Sequence, residues 1–150
     1  MMNKTMIIKE EINFDFSEKK VWDILTNPEI TKQYMYGCEV LSEWKVGNPI
    51  IWKGITEDGT EVIYVKGEII EIEKGKKVTF TMFDPNKGME DKLENYVNLT
   101  YELQKLKNGT KLILTQGDFS KTENGKDRYE EASKGWKMVF PIMKKVISEL

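Results

Sequence analysis

The sequence predicts an α+β domain in which a run of antiparallel strands packs against a long carboxy-terminal helix. Through much of residues 38–116, apolar and polar residues alternate, as they do in strands with one buried and one wet face. Between Tyr129 and Leu150, apolar residues instead recur every three or four positions, as on the buried face of a helix. No repeat, linker or low-complexity segment interrupts the 150 residues. We therefore expect a single domain that spans residues 1–150.

The first predicted elements are a strand and two short helices. The strand runs from about Met6 to Phe14, where apolar side chains share one face. Ser17 is expected to cap the first helix, and Asn27 the second, with Pro28 at its first position. Gly37 is expected to end the second helix.

Turn residues divide the central region into strands. Four turn patterns separate the alternating runs, at residues 46–48, 57–60, 73–76 and 107–110. The last helix is expected to begin with a capping box formed by Asp127 and Glu130. Pro141 lies in the middle of this helix, where it removes a backbone hydrogen bond and predicts a bend.

Composition excludes several kinds of chemistry. The chain has no histidine, which excludes histidine-dependent nucleophile pairs and histidine-ligated zinc. The single cysteine, Cys38, excludes an internal disulfide and a cysteine-rich metal site, and it indicates a reducing compartment. We expect no metal and no cofactor. The net charge is −2 and every basic residue except Arg128 is lysine, so nucleic acid is not the expected partner.

The hydropathy pattern predicts a protein of the cytoplasm. The amino terminus has no apolar run long enough for a signal peptide. No stretch approaches the ~18 consecutive apolar residues of a membrane-spanning helix.

Three segments, in this order along the chain, resemble one protein family. Residues 16–29, which end in Val-Trp-Asp-Ile-Leu-Thr-Asn-Pro-Glu, are similar to its strand end followed by the pattern V-W-x-x-[LF]-T-[DN]-P-E. Residues 65–81 resemble its G-x-V-x-E-I-x-P hairpin, although Lys74 stands where proline is common, and Gly135-Trp136 matches a G-W pair in its last helix. The chain thus resembles the helix-grip, START-like (SRPBCC) superfamily and, within it, the family named after the activator of the heat-shock protein 90 ATPase.

This resemblance implies a curved antiparallel sheet of six or seven strands that grips the long carboxy-terminal helix, with two short helices after strand 1 and an apolar cavity between sheet and helix. Members differ in ligand and activity, so the fold does not by itself settle the function. We expect Gly135 to let the helix approach the sheet closely. We expect the bend at Pro141 to open the cavity.

The candidate cavity residues are the aromatic, Met and Leu side chains expected to face inward: Trp52, Phe80, Met82, Leu99, Tyr101, Tyr129, Trp136, Phe140 and Met143. The alternative for this set is a filled core. Tyr101 and Tyr129 are the candidates for a polar contact to a ligand, because a buried phenol needs a partner. Glu10 shares the parity of the buried residues of the first strand. It is either a polar group of the cavity or a carboxylate that reaches water at a twisted strand end.

Two other features are expected to have no chemical role. The acidic loop of residues 84–95 lacks the ligand spacing of a calcium loop and is expected to be a solvated lid. Cys38 has no basic neighbour in sequence to activate it, so a catalytic thiol is not expected.

Three functional hypotheses follow. The first is a non-enzymatic module that binds a hydrophobic small molecule between sheet and helix. The second is a protein-interaction, co-chaperone-like or stress-related role. Under this hypothesis the chain binds a protein partner or forms a homodimer. The third is a cyclase-like or hydrolytic enzyme that uses Glu10, Tyr101 or Tyr129 as acid or base, although no catalytic constellation is visible.

Overall fold

A seven-stranded antiparallel sheet and a long carboxy-terminal helix dominate the computed structural model, which describes residues 5–150. The strands are β1 (Ile8–Phe14), β2 (Glu39–Ser42), β3 (Pro49–Ile55), β4 (Glu61–Glu73), β5 (Lys77–Met82), β6 (Val97–Leu106) and β7 (Gly109–Gly117). The helices are α1 (Glu18–Thr26), α2 (Pro28–Tyr34) and α3 (Gly125–Ser148). Single 3-10 turns lie at Leu93–Asn95 and Phe119–Lys121. The predicted α+β helix-grip fold is thereby confirmed.

The sheet has the strand order β1-β7-β6-β5-β4-β3-β2, with every neighbouring pair antiparallel. All four predicted turn patterns lie at or between strand ends and connect neighbouring strands. Across five strands, one row of directly facing residues is buried: Ile8, Gln116, Leu99, Phe80 and Ile69. This row marks the inner face of the sheet.

Strand β4 changes partners along its length and so bends the sheet. Its first part pairs with β3 and its last part with β5, and the register shifts beside Ile70. Near the change, a Cβ atom on Gly67 would lie 1.7 Å from the carbonyl oxygen of Thr81, so only glycine allows this approach. Bulges of this kind bend a strand and increase its twist.

The two short helices begin where the sequence predicts. The Ser17 side chain accepts a hydrogen bond from the backbone N–H of Lys20 at 3.2 Å. The Asn27 side chain accepts one from the N–H of Glu29 at 3.0 Å, with Pro28 in the first turn. Helix α2 ends at Tyr34, three residues before Gly37, whose φ of +78° belongs to the left-handed region.

Helix α3 begins two residues before the predicted capping box, which is therefore wrong. Its N-cap is Asn124, in the left-handed conformation and without a side-chain capping bond. The next residue, Gly125, packs so closely that a Cβ atom would lie 2.0 Å from the carbonyl oxygen of Phe119. Packing against the Phe119–Lys121 turn therefore sets the start of α3, and a local side-chain cap does not. Among residues 5–150, no helix is both long and apolar enough to cross a bilayer.

Candidate functional site

A cavity of about 810 Å³ lies between the amino-terminal half of α3 and the inner face of the sheet. Its wall also includes residues of the α2–β2 connection and of the segment that follows β5. The volume is within the ~300–1,000 Å³ range of small-molecule sites.

The deep part of the cavity, here termed the inner wall, is formed by side chains that are buried or, for Met82, half-buried. They come from α3, from four strands and from the α2–β2 connection: Cys38, Trp52, Met82, Leu99, Gln116, Trp136 and Val139. Apolar and aromatic surface dominates this set. Residues from strands as distant as β3 and β7 thus face one space.

A hydrogen-bonded chain joins α3 to the sheet within the inner wall. The indole Nε1 of Trp136 donates to Oε1 of Gln116 at 2.7 Å, and both side chains are buried. The Gln116 amide Nε2 in turn donates to the Met82 sulfur at 3.4 Å. A thioether is a weak acceptor, so the amide N–H groups are less well satisfied than the amide oxygen.

Trp52, on β3, carries an unpartnered polar atom. The residue is 3% exposed, yet its indole Nε1 has no hydrogen-bond acceptor among the residues that the structure describes. A buried donor without a partner costs about 1–3 kcal/mol. Trp52 lines the cavity, but its Nε1 atom is itself inaccessible to solvent, so the lining surface of Trp52 is the rest of its side chain.

The opening of the cavity, here termed the rim, is polar. It is lined by tyrosines and by side chains of both charges: Tyr36, Tyr64, Asp84, Asn86, Lys87, Arg128 and Glu131. Lys87 pairs with Glu131 at 3.3 Å and so links the segment after β5 to α3 across the opening. Most of these side chains are exposed, so the cavity is open to solvent at the rim.

Arg128 is the half-buried cation of the rim. Its Nη1 donates to the backbone oxygen of Asn95 at 2.8 Å. Burial lowers the pKa of the guanidinium, whereas the charge of Asp84 raises it. The group nevertheless stays protonated at neutral pH. Arg128 therefore places a fixed positive charge at the opening.

The acidic loop of residues 84–95 is exposed along most of its length but is anchored to the fold. Asn86 Nδ2 donates to the Ile63 oxygen at 2.8 Å, and Asp91 contacts both the Lys66 ammonium and, at 2.7 Å, the Tyr96 hydroxyl. These two contacts hold the pKa of Asp91 below its ordinary value. Asn95, at the end of the loop, is buried. Within residues 5–150, no three Asp, Glu or Cys side chains are grouped as metal ligands.

The predicted cavity residues divide into two groups. Four line the cavity: Trp52, Met82, Leu99 and Trp136. Five lie outside its lining: Phe80, Tyr101, Tyr129, Phe140 and Met143. Phe80, Tyr101 and Met143 are fully buried in the core, where Tyr101 makes edge contacts to Phe80 and Trp136. Tyr129 packs on Phe119, and Phe140 stacks on Trp136 at 5.6 Å between ring centres.

Glu10 also lies outside the cavity lining. It is half-buried on β1 and faces Leu114 of β7. Neither candidate phenol reaches the cavity. The hydroxyl of Tyr101 is buried with no hydrogen-bond partner among the described residues, and burial raises its pKa well above the ordinary value.

Of the two predicted causes of the cavity, the close approach at Gly135 is wrong, and the bend at Pro141 stays a prediction. A Cβ atom on Gly135 would meet only the Tyr36 hydroxyl, at 3.5 Å, among the described residues, so Gly135 borders open space and not the sheet. Helix α3 continues unbroken through Pro141, which is exposed, and the cavity lining ends at Val139. The space therefore lies along the half of α3 that precedes the proline.

Sequence reasoning missed Gln116 and Arg128 as site residues. Gln116 continues the alternation of Leu112 and Leu114 and is thus a polar residue in a buried position, which is a signal that the sequence contains. Arg128 had no such signal, because charged residues are common on helices. Cys38 is buried, and burial raises the pKa of its thiol. A thiol of raised pKa is a poor nucleophile at neutral pH.

Comparison with known proteins gives a family and a fold. The family model described as "Activator of Hsp90 ATPase homolog 1-like protein" matches residues 15–148. Among curated proteins, none is significantly similar to this chain.

Solved structures support the same grouping. ChR145 from Cytophaga hutchinsonii is 32% identical, with 99% of this chain and 97% of that one covered and a TM-score of 0.76. MLL2253 from Mesorhizobium loti shares the fold at 17% identity and a TM-score of 0.74. The match covers 95% of this chain and 97% of that one. CalU16 from Micromonospora echinospora shares the fold at 18% identity and a TM-score of 0.67. The match covers 95% of this chain and 74% of that one.

Proposed function

We propose that this chain, which belongs to the Activator of Hsp90 ATPase homolog 1-like family, binds an apolar small molecule in the cavity between α3 and the sheet. The observation that carries the proposal is the cavity of about 810 Å³ itself, whose inner wall is buried and largely apolar. A site of this volume with few polar groups is typical of small-molecule binding.

We further propose that the protein holds its ligand without transforming it. General acid–base catalysis requires titratable groups within reach of a common substrate. The residues considered for that role are dispersed, since Glu10 and Tyr101 lie outside the cavity lining and Tyr129 packs on Phe119. The charged groups of the rim lie at the opening, away from the inner wall. A cytoplasmic location belongs to the same proposal and is supported by the single cysteine of the sequence.

The experiment measures dye binding to the parent protein and to a variant in which a side chain added on α3 fills the cavity. The neutral dye N-phenyl-1-naphthylamine, which fluoresces in apolar surroundings, is titrated into the folded protein and its emission is followed. We expect saturable binding of about one dye per chain, because the structure offers one space of this size between α3 and the described part of the sheet. In Gly135→Leu, the new side chain extends from a residue of the cavity lining with only the Tyr36 hydroxyl near its Cβ. We expect this variant to bind the dye at least tenfold more weakly.

Lys134→Leu is the matched control, because residue 134 is exposed on the same helix turn and does not line the cavity. The control is expected to bind the dye as the parent protein does. Thermal melts establish that both variants are folded. Dye binding that does not saturate, or that is equally strong in folded Gly135→Leu, would contradict the proposed function.

A further inference from the structure

We propose that the side chain of Tyr36 is the gate of the cavity, which must leave its contact with α3 before a small molecule enters or leaves. The inference rests on the proposed function, that the cavity binds an apolar small molecule, and it names the residue that controls entry. It follows from three observations: a side chain that joins two walls of the cavity, a strained backbone, and a single weak contact that holds the side chain in place.

The Tyr36 side chain connects the α2–β2 connection (residues 35–38) to α3. Its hydroxyl donates a hydrogen bond to the backbone oxygen of Gly135 at 3.1 Å. Both residues line the cavity. The rim is open to water, but a side chain held in this way narrows the opening between the α2–β2 connection and the helix.

The backbone of Tyr36 has a conformation that is unfavourable for tyrosine. Its φ is +51°, in the left-handed region that glycine, and less often asparagine or aspartate, adopts. Tyr36 is also 64% exposed, so burial of its ring in the core does not offset the strain. Residues strained in this way cluster at ligand clamps and switch regions. Stability of the fold therefore does not account for a tyrosine at this position.

The backbone around Tyr36 is held firmly. The buried Thr31 hydroxyl donates to the carbonyl oxygen of Cys38 and accepts from the N–H of Val40, both at 3.1 Å. The N–H of Cys38 in turn donates to the carbonyl oxygen of Met35 at 2.9 Å. These bonds fix the chain on both sides of Tyr36. The part of the connection that is free to move is the Tyr36 side chain.

The contact that closes the gate is weak. Gly135 lies inside α3, where its carbonyl oxygen also accepts the helical N–H of Val139, so the Tyr36 hydroxyl uses the second lone pair. When the ring swings away, the hydroxyl returns to water and no buried group loses its partner. One such hydrogen bond changes an equilibrium by about two- to tenfold. Rotation of an exposed side chain takes picoseconds to nanoseconds, so the gate opens many times before a dye molecule binds.

A gate changes binding kinetics in a specific way. Because the ligand passes only while the gate is open, the open fraction multiplies both the association and the dissociation rate constants. Their ratio, the dissociation constant, stays nearly the same. The test follows the fluorescence of N-phenyl-1-naphthylamine after stopped-flow mixing with the folded protein. The observed rate is plotted against dye concentration, so that the slope gives the association rate constant and the intercept gives the dissociation rate constant.

Two variants open the gate to different degrees. Tyr36→Phe removes the hydrogen bond and keeps the ring, so both rate constants should rise about threefold or more, with a dissociation constant within twofold of the parent. Tyr36→Gly removes the ring as well, and both rate constants should rise further. Its melting temperature should not fall, because glycine adopts the left-handed conformation without strain, which offsets its greater freedom in the unfolded chain.

Tyr96→Phe is the matched control. The Tyr96 hydroxyl also makes an exposed hydrogen bond, to Asp91 at 2.7 Å, but Tyr96 does not line the cavity. Its loss should leave both rate constants unchanged. Glu131→Gln removes the ion pair with Lys87, which is the other contact between a neighbouring segment and α3 across the opening. Faster exchange in Glu131→Gln but not in the Tyr36 variants would place the entrance beside Lys87 and overturn the proposed gate.

The remaining outcomes separate the two proposals. If the dye does not bind saturably to the folded parent protein, the proposed function fails and the gate fails with it. If the dye binds and both Tyr36 variants exchange it at the parent's rates, the gate is overturned while the proposed function stands. A rise in the dissociation rate constant alone would make Tyr36 a ligand contact, and this result too would overturn the gate.

Discussion

The hydrogen bond of 2.7 Å from the Trp136 indole Nε1 to the Gln116 amide oxygen joins α3 to β7 at the wall of the cavity. Gln116 lies in the buried row of the sheet, where its neighbours are apolar. The pair therefore satisfies the amide oxygen of a polar residue at a core position, and it ties the helix to the sheet.

Replacing Gln116 with Leu should destabilise the fold. The change keeps apolar volume but leaves the Trp136 N–H buried without its acceptor, which costs about 1–3 kcal/mol in the free energy of unfolding. Trp136→Phe should also destabilise, and the double variant should lose less than the sum, with a coupling of about 1 kcal/mol. Urea unfolding of all four proteins measures the cycle. Gln104→Leu, at an exposed position on β6, is the control and should change stability by under about 0.5 kcal/mol. Strict additivity would mean that the bond contributes nothing.

The two fully buried tyrosines should differ in how loss of the hydroxyl changes the stability of the protein. Tyr34 Oη donates to the carbonyl oxygen of Ile24 at 2.6 Å, and this oxygen has no helical N–H partner because Pro28 stands four residues later. Tyr34→Phe should therefore destabilise the protein by about 1–2 kcal/mol. The Tyr101 hydroxyl has no partner among the described residues, so Tyr101→Phe should be neutral or stabilising. Thermal and urea unfolding compare the two variants, and equal destabilisation would contradict the assignment.

The sequence was sufficient for features whose causes are local. The Ser17 and Asn27 caps, the four turns and the alternating strands each depend on a few adjacent residues, and the structure has all of them. The start of α3 was predicted wrongly because its cause is the contact between Gly125 and the Phe119 carbonyl, which no local pattern reveals.

The cavity was harder to predict because inward orientation does not distinguish core from cavity wall. Phe80 and Leu99 face each other in the sheet and are equally buried, yet only Leu99 lines the cavity. The difference depends on how far the sheet curves and on what α3 covers. Gln116 shares the parity of Leu112 and Leu114, so a polar residue at a buried position was a signal that the sequence contained and that sequence reasoning missed.

Asp118 should make the stability of the fold sensitive to acid. Its carboxylate accepts hydrogen bonds from the backbone N–H groups of Met6, at 3.0 Å, and Ser120, at 2.8 Å, which hold its pKa below the ordinary 3.8. A carboxyl whose pKa is lowered by folding stabilises the protein above its unfolded pKa, and this contribution is lost as the pH falls through the folded value. Asp118→Asn should therefore be less stable than the parent at neutral pH, with the gap closing below pH 3.8.

Chemical unfolding at neutral and acid pH measures that gap. Asp15→Asn serves as the control, because Asp15 is exposed and its side chain forms no hydrogen bond among the described residues. A gap for Asp118→Asn that is the same at both pH values would show that its charge is not involved.

Pro141→Leu should stabilise the protein and leave the cavity unchanged. Proline within a helix removes one backbone hydrogen bond and crowds the preceding turn, at a cost of up to ~3 kcal/mol. Pro141 is exposed, so leucine adds no core volume, and the cavity lining ends two residues earlier at Val139. We expect the free energy of unfolding to rise by about 1 kcal/mol or more, with dye affinity within twofold of the parent. Lys137→Leu, an exposed change on the same helix that restores no hydrogen bond, separates this gain from any general effect of leucine. A clear loss of dye binding in Pro141→Leu would instead mean that the proline shapes the cavity from outside its lining.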